Sequence, residues 1–437
     1  MTSKTCNGFA VFLLIGLMLT AAAMSACGGG VPARPSSIAE ARSDSERITN
    51  PDVSESELND LVRGNSTFAF DLYRLLREDE GNLFLSPYSI SAALAMTYAG
   101  ARGDTELEMA DALRFPLPQD RLHAGFNALD MELNEEPELQ EFQTGDPLQL
   151  NIANAIWGEQ TYAFLPEFLD TLAENYGAGL QLLDFINNFE GAREMINAWV
   201  SDQTEERIPE LLPEGVIDDL TRLVLTNAIY FNASWFHPFD MDKTQDGSFH
   251  LVDGSEVQTP MMHVSEELGQ GEVAGAQIVP LPYEGRNYAM YVILPPEGEF
   301  KAFEQSLDAA GLDAMIAQIS PAFVQLTMPK FEFDSSFDLL KALKALGMVA
   351  AFEPNVADLS GMDGSRELYI SDVVHKAFVA VDEEGTEAAA ATGVVSSLLS
   401  GPPRSAEVVL DRPFLFLIRH IQTGTILFLG RVLDPTA

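Results

Sequence analysis

The sequence predicts an α+β fold with more than one β-sheet, and three observations carry that expectation. Segments of helical period and segments that read as strands alternate irregularly, in neither a strict βαβ order nor an all-β order. Several strand candidates are apolar on both faces, as strands inside a layered domain are. The apolar fraction of 46% over 437 residues supports a sizeable core. Taken in order, Asn65 to Arg77 places Phe68, Leu72, Leu75 and Leu76 at helical spacing. Ser89 to Tyr98 is a compact Ala/Leu/Met helix introduced by Ser86-Pro87, where a missing proline N–H costs nothing. Leu223 to Leu225, Ala289 to Leu294, Phe323 to Met328 and Leu415 to Ile418 read as strands.

Ahead of these elements lies a targeting segment that stands outside the fold. Lys4 supplies a positive start, Phe9 to Ala23 supply fifteen apolar residues, and Met24-Ser25-Ala26 lead to Cys27. The apolar run is short for a stable membrane span. A small-residue site followed by cysteine resembles a bacterial lipoprotein signal, with Met24 standing where leucine is usual. Residues 1–26 are then the signal peptide, Cys27 the lipidated first residue of the mature chain, and the protein is exported to the cell surface or periplasm. Plain secretion to the extracellular space and an uncleaved anchor are the alternatives. Cys6 falls in the removed part, so no cysteine pair remains for a disulfide and stability rests on packing. Residues 27–60, rich in Gly, Pro, Ser, Glu and Asp, read as a flexible tether with a reach of roughly 30 Å. No second linker of this character follows, so residues 61–437 form one large domain.

The formal net charge of −41 excludes ordinary backbone binding to DNA or RNA, which needs clustered Lys and Arg. The acidic residues are spread along the chain and fit a solvated surface. No metal or cofactor is expected. His123, His237, His250, His263, His375 and His420 make no His-x-x-x-His or cysteine-containing metal spacing. Neither a Gly-x-Ser-x-Gly elbow nor a phosphate-cradling Gly-x-x-x-x-Gly-Lys loop is present, and an enzyme is not expected.

After Glu383-Glu384, the stretch Gly385-Thr386-Glu387 followed by Ala388, Ala389, Ala390, Ala391 and Thr392 is small, with Glu387 its single charge. In an extended chain Thr386, Ala388, Ala390, Thr392 and Val394 share one face, and Glu387, Ala389, Ala391, Gly393 and Val395 the other. Gly385 removes the side-chain restriction where the chain must bend. Composition alone equally allows an alanine-rich surface helix.

The surrounding blocks decide between the two. Asn82-Leu-Phe-Leu-Ser86-Pro87-Tyr-Ser89-Ile, Gly100-Ala-Arg-Gly-Asp-Thr105, and Leu223-Val-Leu-Thr-Asn227-Ala-Ile-Tyr-Phe with Trp235 beyond it resemble the serpins. So do Leu281-Pro-Tyr, Met328-Pro-Lys330-Phe, Ser371-Asp-Val-Val-His375-Lys and Asp411-Arg-Pro413-Phe414-Leu-Phe-Leu-Ile, all in family order. The resemblance implies about three sheets, eight to nine helices and an exposed reactive loop. It is similar to a bacterial- or archaeal-type lipoprotein serpin acting as a monomer, whose partner is a serine protease held in a covalent complex. The implied mechanism is suicide inhibition: the protease cuts the loop, forms an acyl-enzyme, and is dragged across the molecule as the loop inserts into the central sheet. About fourteen inserted residues at roughly 3.3 Å each carry it some 46 Å.

Counting seventeen residues from Glu383, the family's usual interval, places the reactive bond between Leu399 and Ser400. An apolar residue there suits a chymotrypsin-, elastase- or subtilisin-like enzyme. Arg404-Ser405 is the competing bait for a trypsin-like protease, with Pro402-Pro403 hindering an extended fit. The resemblance further implies a cluster of Ser86, Ser89, Asn227 and His375 beneath the opening sheet, Trp235 at its upper end, and a Lys330–Glu383 pair that tethers the hinge. His375 is a structural latch in this reading. A non-inhibitory serpin acting as a surface binding protein is the alternative; the absence of bulky or proline residues from Gly385 to Val394, where Glu387 is the single charge, stands against it.

Overall fold

The computed structural model describes residues 38–78, 80–135, 149–386 and 405–437. The chain begins with β1 (Ala39–Ala41), α1 (Glu55–Leu76), β2 (Leu83–Leu85), α2 (Pro87–Tyr98), α3 (Gly103–Ala112), α4 (Gln119–Leu133) and β3 (Gln149–Glu159). It continues through α5 (Pro166–Tyr176), β4 (Leu180–Leu183), α6 (Phe185–Gln203), β5 (Leu223–Ser234), β6 (Gln245–His250), β7 (Glu256–Glu267) and β8 (Gly271–Val273). Next come β9 (Ala276–Pro282), β10 (Tyr288–Leu294), α7 (Phe300–Ser306), α8 (Ala309–Ile316), β11 (Phe323–Pro329), β12 (Phe331–Asp338), α9 (Leu340–Ala345) and α10 (Ser360–Asp363). The last strands are β13 (Asp372–Val381), β14 (Gly385–Thr386), β15 (Ser405–Val409), β16 (Phe414–His420) and β17 (Ile426–Val432).

The strands form three sheets. The large sheet has the order β1-β4-β3-β5-β14-β13-β12, a second runs β2-β17-β16-β10-β9-β8, and a third runs β15-β11-β7-β6. The α+β expectation with about three sheets is met. The helices number ten among the described residues, two of them of six residues or fewer.

The apolar runs of β5, β10, β16 and β17 are buried along almost their whole length. Between the large sheet and the second lies α2, in contact with β3, β5 and β17. All its residues are buried, which is why its sequence is apolar or small on every side. Ser86 caps it, its side chain accepting from the Ser89 N–H at 3.3 Å, with Pro87 in the first turn.

The expected tether to residue 60 is corrected from Ile38 onward. β1 pairs antiparallel with β4 (Ala39↔Leu182, Glu40↔Gln181, Ala41↔Leu180), and Ile38 packs on a buried apolar cluster that includes Trp157, Leu183 and Phe185. Arg42 donates to the Gly177 carbonyl at 2.9 Å, Arg47 donates to Asn127 Oδ1 at 2.9 Å and to Asp130 at 2.7 Å, and Asn127 donates to the Ile48 carbonyl at 2.7 Å. Helix α1 then starts at Glu55 on a capping box, Ser54 with Glu57, ten residues before the predicted helix at Asn65. Composition misled because this strap is held by main-chain pairing and polar anchors, which a count of large apolar residues does not register. Arg47→Ala is expected to lower stability by about 1 kcal/mol, since charge-assisted bonds are lost while Arg47 is partly exposed; the urea-unfolding midpoint measures this.

The arrangement of β5 and β13 positions the site. They pair in parallel from Asp372↔Val224 to Ala377↔Ile229, where their direct ladder ends. Past that point β14 lies between them, antiparallel to both, with Gly385↔Ser234, Thr386↔Ala233 and Val381↔Thr386.

Candidate functional site

β13 leads into a turn whose geometry is set by Asp382. Its carboxylate accepts from the Glu384 N–H at 2.9 Å and the Gly385 N–H at 3.2 Å, and its own N–H donates to the Gly385 carbonyl at 3.0 Å. The turn is clamped from the other side by the chain beyond β5. The Trp235 N–H donates to the Glu384 carbonyl at 2.8 Å, Trp235 Nε1 to the Asp382 carbonyl at 2.9 Å, and the Phe239 N–H to the Glu383 carbonyl at 2.8 Å. The Trp235 ring is buried and stacked on Tyr283 at 4.6 Å.

Glu383 is nearly buried. Lys330 Nζ donates to its Oε2 at 2.7 Å and Thr244 Oγ1 to its Oε1 at 2.7 Å. Burial alone would push the carboxyl up, but these hydrogen bonds outweigh it and hold Glu383 below its usual range. The predicted Lys330–Glu383 pair is thus formed. Lys330→Met would leave this carboxylate short of its cationic donor; with Lys330 itself 38% exposed, a loss of about 1–2 kcal/mol is expected in thermal unfolding.

Gly385 follows in close contact with β5. A Cβ built on it would lie 2.2 Å from the Ala233 carbonyl oxygen and 2.9 Å from Ser234 Cα, so glycine is required for close approach. Thr386 is buried, its hydroxyl bonded to the Tyr283 hydroxyl at 2.7 Å.

Lower in the sheet, where β5 and β13 still pair, the structure brings Ser86, Ser89, Asn227 and His375 together. His375 is fully buried. The Ser86 N–H donates to its Nε2 at 3.1 Å, so Nε2 holds the lone pair and the proton sits on Nδ1, which donates to Asn227 Oδ1. The Asn227 amide donates to Ser89 Oγ and Asn154 Oδ1, Ser89 Oγ donates to Asn154 Oδ1 at 3.0 Å, and Asn154 Nδ2 returns to the Ser89 carbonyl at 3.0 Å. Burial lowers the His375 pKa to about 3, so the ring is neutral at ordinary pH. This network ties β3, β5, β13 and α2 to one another where β5 and β13 pair directly.

Sequence reasoning missed several members of both clusters. Asn154 was legible as a polar residue in the apolar run Ile152-Ala-Asn-Ala-Ile156 of β3. Tyr283 stood in a quoted block without a role, Thr244 and Phe239 carried no pattern that marked them, and Asp382 stood out only within the acidic run Asp382-Glu383-Glu384, which reads as a charged hinge more simply than as a cation site. Ser405 is the exposed first residue of β15 and pairs with Phe323. Cys27, Glu387, Ala388, Ala389, Ala390, Ala391, Thr392, Leu399, Ser400 and Arg404 lie outside the described residues.

Comparison with known proteins places this architecture. The sequence model of the family described as "Serpin (serine protease inhibitor)" matches residues 63–435. The chain is 41% identical over 389 residues to the leukocyte elastase inhibitor of Bos taurus and 38% identical over 389 residues to that of Homo sapiens, covering 86% of this chain and 100% of each relative. Among solved structures it is similar to human thyroxine-binding globulin, with a TM-score of 0.77 and 33% identity over 87% of this chain and 100% of that one. It is also similar to the thermophilic serpin tengpin in its native state, with a TM-score of 0.78 and 28% identity over 90% of this chain and 97% of that one. With the family model matching most of the chain and relatives about 40% identical over their whole length, the chain belongs to the serpin family of serine protease inhibitors.

Proposed function

We propose that this serpin is an irreversible suicide inhibitor of chymotrypsin-, elastase- or subtilisin-like serine proteases, with the reactive bond between Leu399 and Ser400. The protease serine Oγ attacks the Leu399 carbonyl carbon, and the Leu399–Ser400 C–N bond breaks. The Ser400 nitrogen leaves with the proton carried by the protease histidine, and Leu399 remains as an ester on the serine. The freed loop then extends β14 down the large sheet before water can hydrolyse that ester.

The single observation that carries this reading is β14 itself: two residues of the loop's hinge already lie between β5 and β13. Its register continues consistently on both sides. Thr386 opposite Ala233 and Val381 would set Thr392 opposite Asn227 and His375, which are each other's partners across the closed part of the sheet. Insertion therefore replaces one parallel ladder with two antiparallel ones, and antiparallel pairing is the more stable per residue. Ser405, the far side of the competing bond, is tied to β11 by the β15 ladder. A trypsin-like protease cutting after Arg404 would have to peel that strand away, which favours Leu399. The leukocyte elastase inhibitors among the relatives agree with an apolar-preferring target.

The export signal supports the finer proposal of a bacterial- or archaeal-type, lipid-anchored monomer carrying its anchor on Cys27, with secretion as the alternative. In this reading the protein is no enzyme, needs no cofactor and binds no nucleic acid.

The test mixes the protein separately with chymotrypsin, pancreatic elastase, subtilisin and trypsin, followed by denaturing gels and mass spectrometry of the released peptide. A covalent band with one of the first three and a peptide beginning at Ser400 is expected. A band with trypsin alone and a peptide beginning at Ser405 would move the bait to Arg404. Cleavage without any covalent band would favour the non-inhibitory reading.

A further inference from the structure

We infer that Tyr283 is a positioning residue for the inhibitory reaction: its hydroxyl holds the Thr386 hydroxyl and thereby keeps β14 seated between β5 and β13 before any protease acts. The consequence for inhibition rests on the proposed insertion mechanism; the seating itself does not.

A strand of two residues has little ladder of its own to hold it. The Trp235, Phe239 and Asp382 contacts act on residues 382–385, that is, on the turn before the strand. The side-chain bond that reaches Thr386 comes from Tyr283, O to O at 2.7 Å. Tyr283 is independently fixed. Its ring is fully buried, stacked on Trp235 at 4.6 Å and edge-on to Phe231 at 5.0 Å, and its N–H donates to the Tyr288 carbonyl at 3.0 Å. The ring therefore has no room to follow a departing hinge.

Withdrawal of Thr386 would leave the fully buried tyrosine hydroxyl without the bond it makes here. The loss of one such buried bond shifts an equilibrium by about tenfold. Burial also pushes the Tyr283 hydroxyl far above the ordinary tyrosine range, so it keeps its proton and remains a donor. A seated Thr386 fixes which residue of the loop meets which residue of β5 and β13, so insertion starts from a set register instead of having to find one.

The test uses the full chain and hydrogen exchange resolved to residues 382–386, measured without protease. Exchange is expected to accelerate by about tenfold in Tyr283→Phe and in Thr386→Val. It should stay near the parent value in Thr386→Ser, which keeps the hydroxyl, and be no faster in the double variant Tyr283→Phe/Thr386→Val than in either single one. The two single variants act from opposite sides of the bond, so failure of one to fold leaves the other informative. Unchanged exchange in a folded single variant, or additive effects in the double variant, would overturn the assignment. The same variants mixed with the inhibited protease should consume more inhibitor per protease trapped, with Thr386→Ser restored. If the parent protein traps no protease, the inhibitory reading fails while the exchange result still decides the role of Tyr283.

Discussion

Gly385→Val is expected to convert the protein from an inhibitor into a substrate. The obstruction is main chain: a Cβ at this position meets the Ala233 carbonyl oxygen at 2.2 Å and Ser234 Cα at 2.9 Å, both in the β5 ladder. Valine adds two further methyl groups to that clash. Overpacking of this kind costs about 1–3 kcal/mol where neighbours can yield, which is roughly a 5- to 150-fold shift. Here they yield poorly, because β5 is bonded on its other side to β3 along Gln149–Gly158. The hinge should leave the sheet and the loop should be cut as readily as before. Insertion should then lose its race with hydrolysis of the acyl-enzyme. The ratio of covalent complex to cleaved inhibitor on a denaturing gel measures this directly, and Gly385→Ala should fall between the parent and the valine variant.

Acidification should loosen the closed sheet through His375. Its pKa is about 3 in the folded protein against an ordinary value of 6.5, so the unfolded chain binds the proton more readily between those limits. Stability from this residue is complete above about pH 6.5 and falls as pH drops toward 3, by on the order of 5 kcal/mol in full. The main cause is burial, which disfavours the charged ring, and a protonated ring would also present an N–H to the Ser86 N–H, two donors face to face. His123 and His420, lowered by burial to about 4, act in the same direction. Glu383, held below its usual range, adds a loss at still lower pH.

Asp372 acts oppositely. Burial, together with Asp338 and Asp218, raises it to about 7, so its contribution is present at low pH and lost as pH rises toward and through 7. His375→Gln, which keeps an acceptor for Ser86 but does not titrate, should be less stable at pH 7 and show a shallower acid loss than the parent. Denaturant-unfolding midpoints from pH 7 to pH 4 provide the comparison. Equal slopes in the two proteins would remove His375 from the account.

Much of the fold was legible because its central elements are apolar throughout. The Leu223–Leu225 reading grew to β5, and the other three predicted strands lie within β10, β11 and β16, with small shifts at their ends. The Ser86-Pro87 signal placed the start of α2. What escaped was held by main-chain or polar contacts. The strap from Ile38 to Ser54 looked like linker because β1 pairs through its backbone and Arg42 and Arg47 reach carbonyl and polar side-chain partners. The site divides the same way. Ser86, Ser89, Asn227, His375, Trp235, Lys330 and Glu383 were found because family blocks carry them. Asn154, Thr244 and Asp382 were not, since each matters through a partner distant in sequence or through a local turn. The seating of Gly385 and Thr386 between β5 and β13 also went unforeseen. Composition showed that the hinge was small enough to insert, but the register that seats it arises only once Ala233, Ser234 and Val381 are brought alongside.

The central claim is that the large sheet accepts the cut loop as a new strand and settles into a more stable state. Thermal unfolding before and after loop cleavage by a zinc protease such as thermolysin tests it most directly, because such an enzyme forms no acyl intermediate and leaves the cut protein free. The account predicts a cut within residues 387–404 and an unfolding temperature well above that of the intact protein. A protein cut in that segment that unfolds at or below the temperature of the intact chain would contradict it.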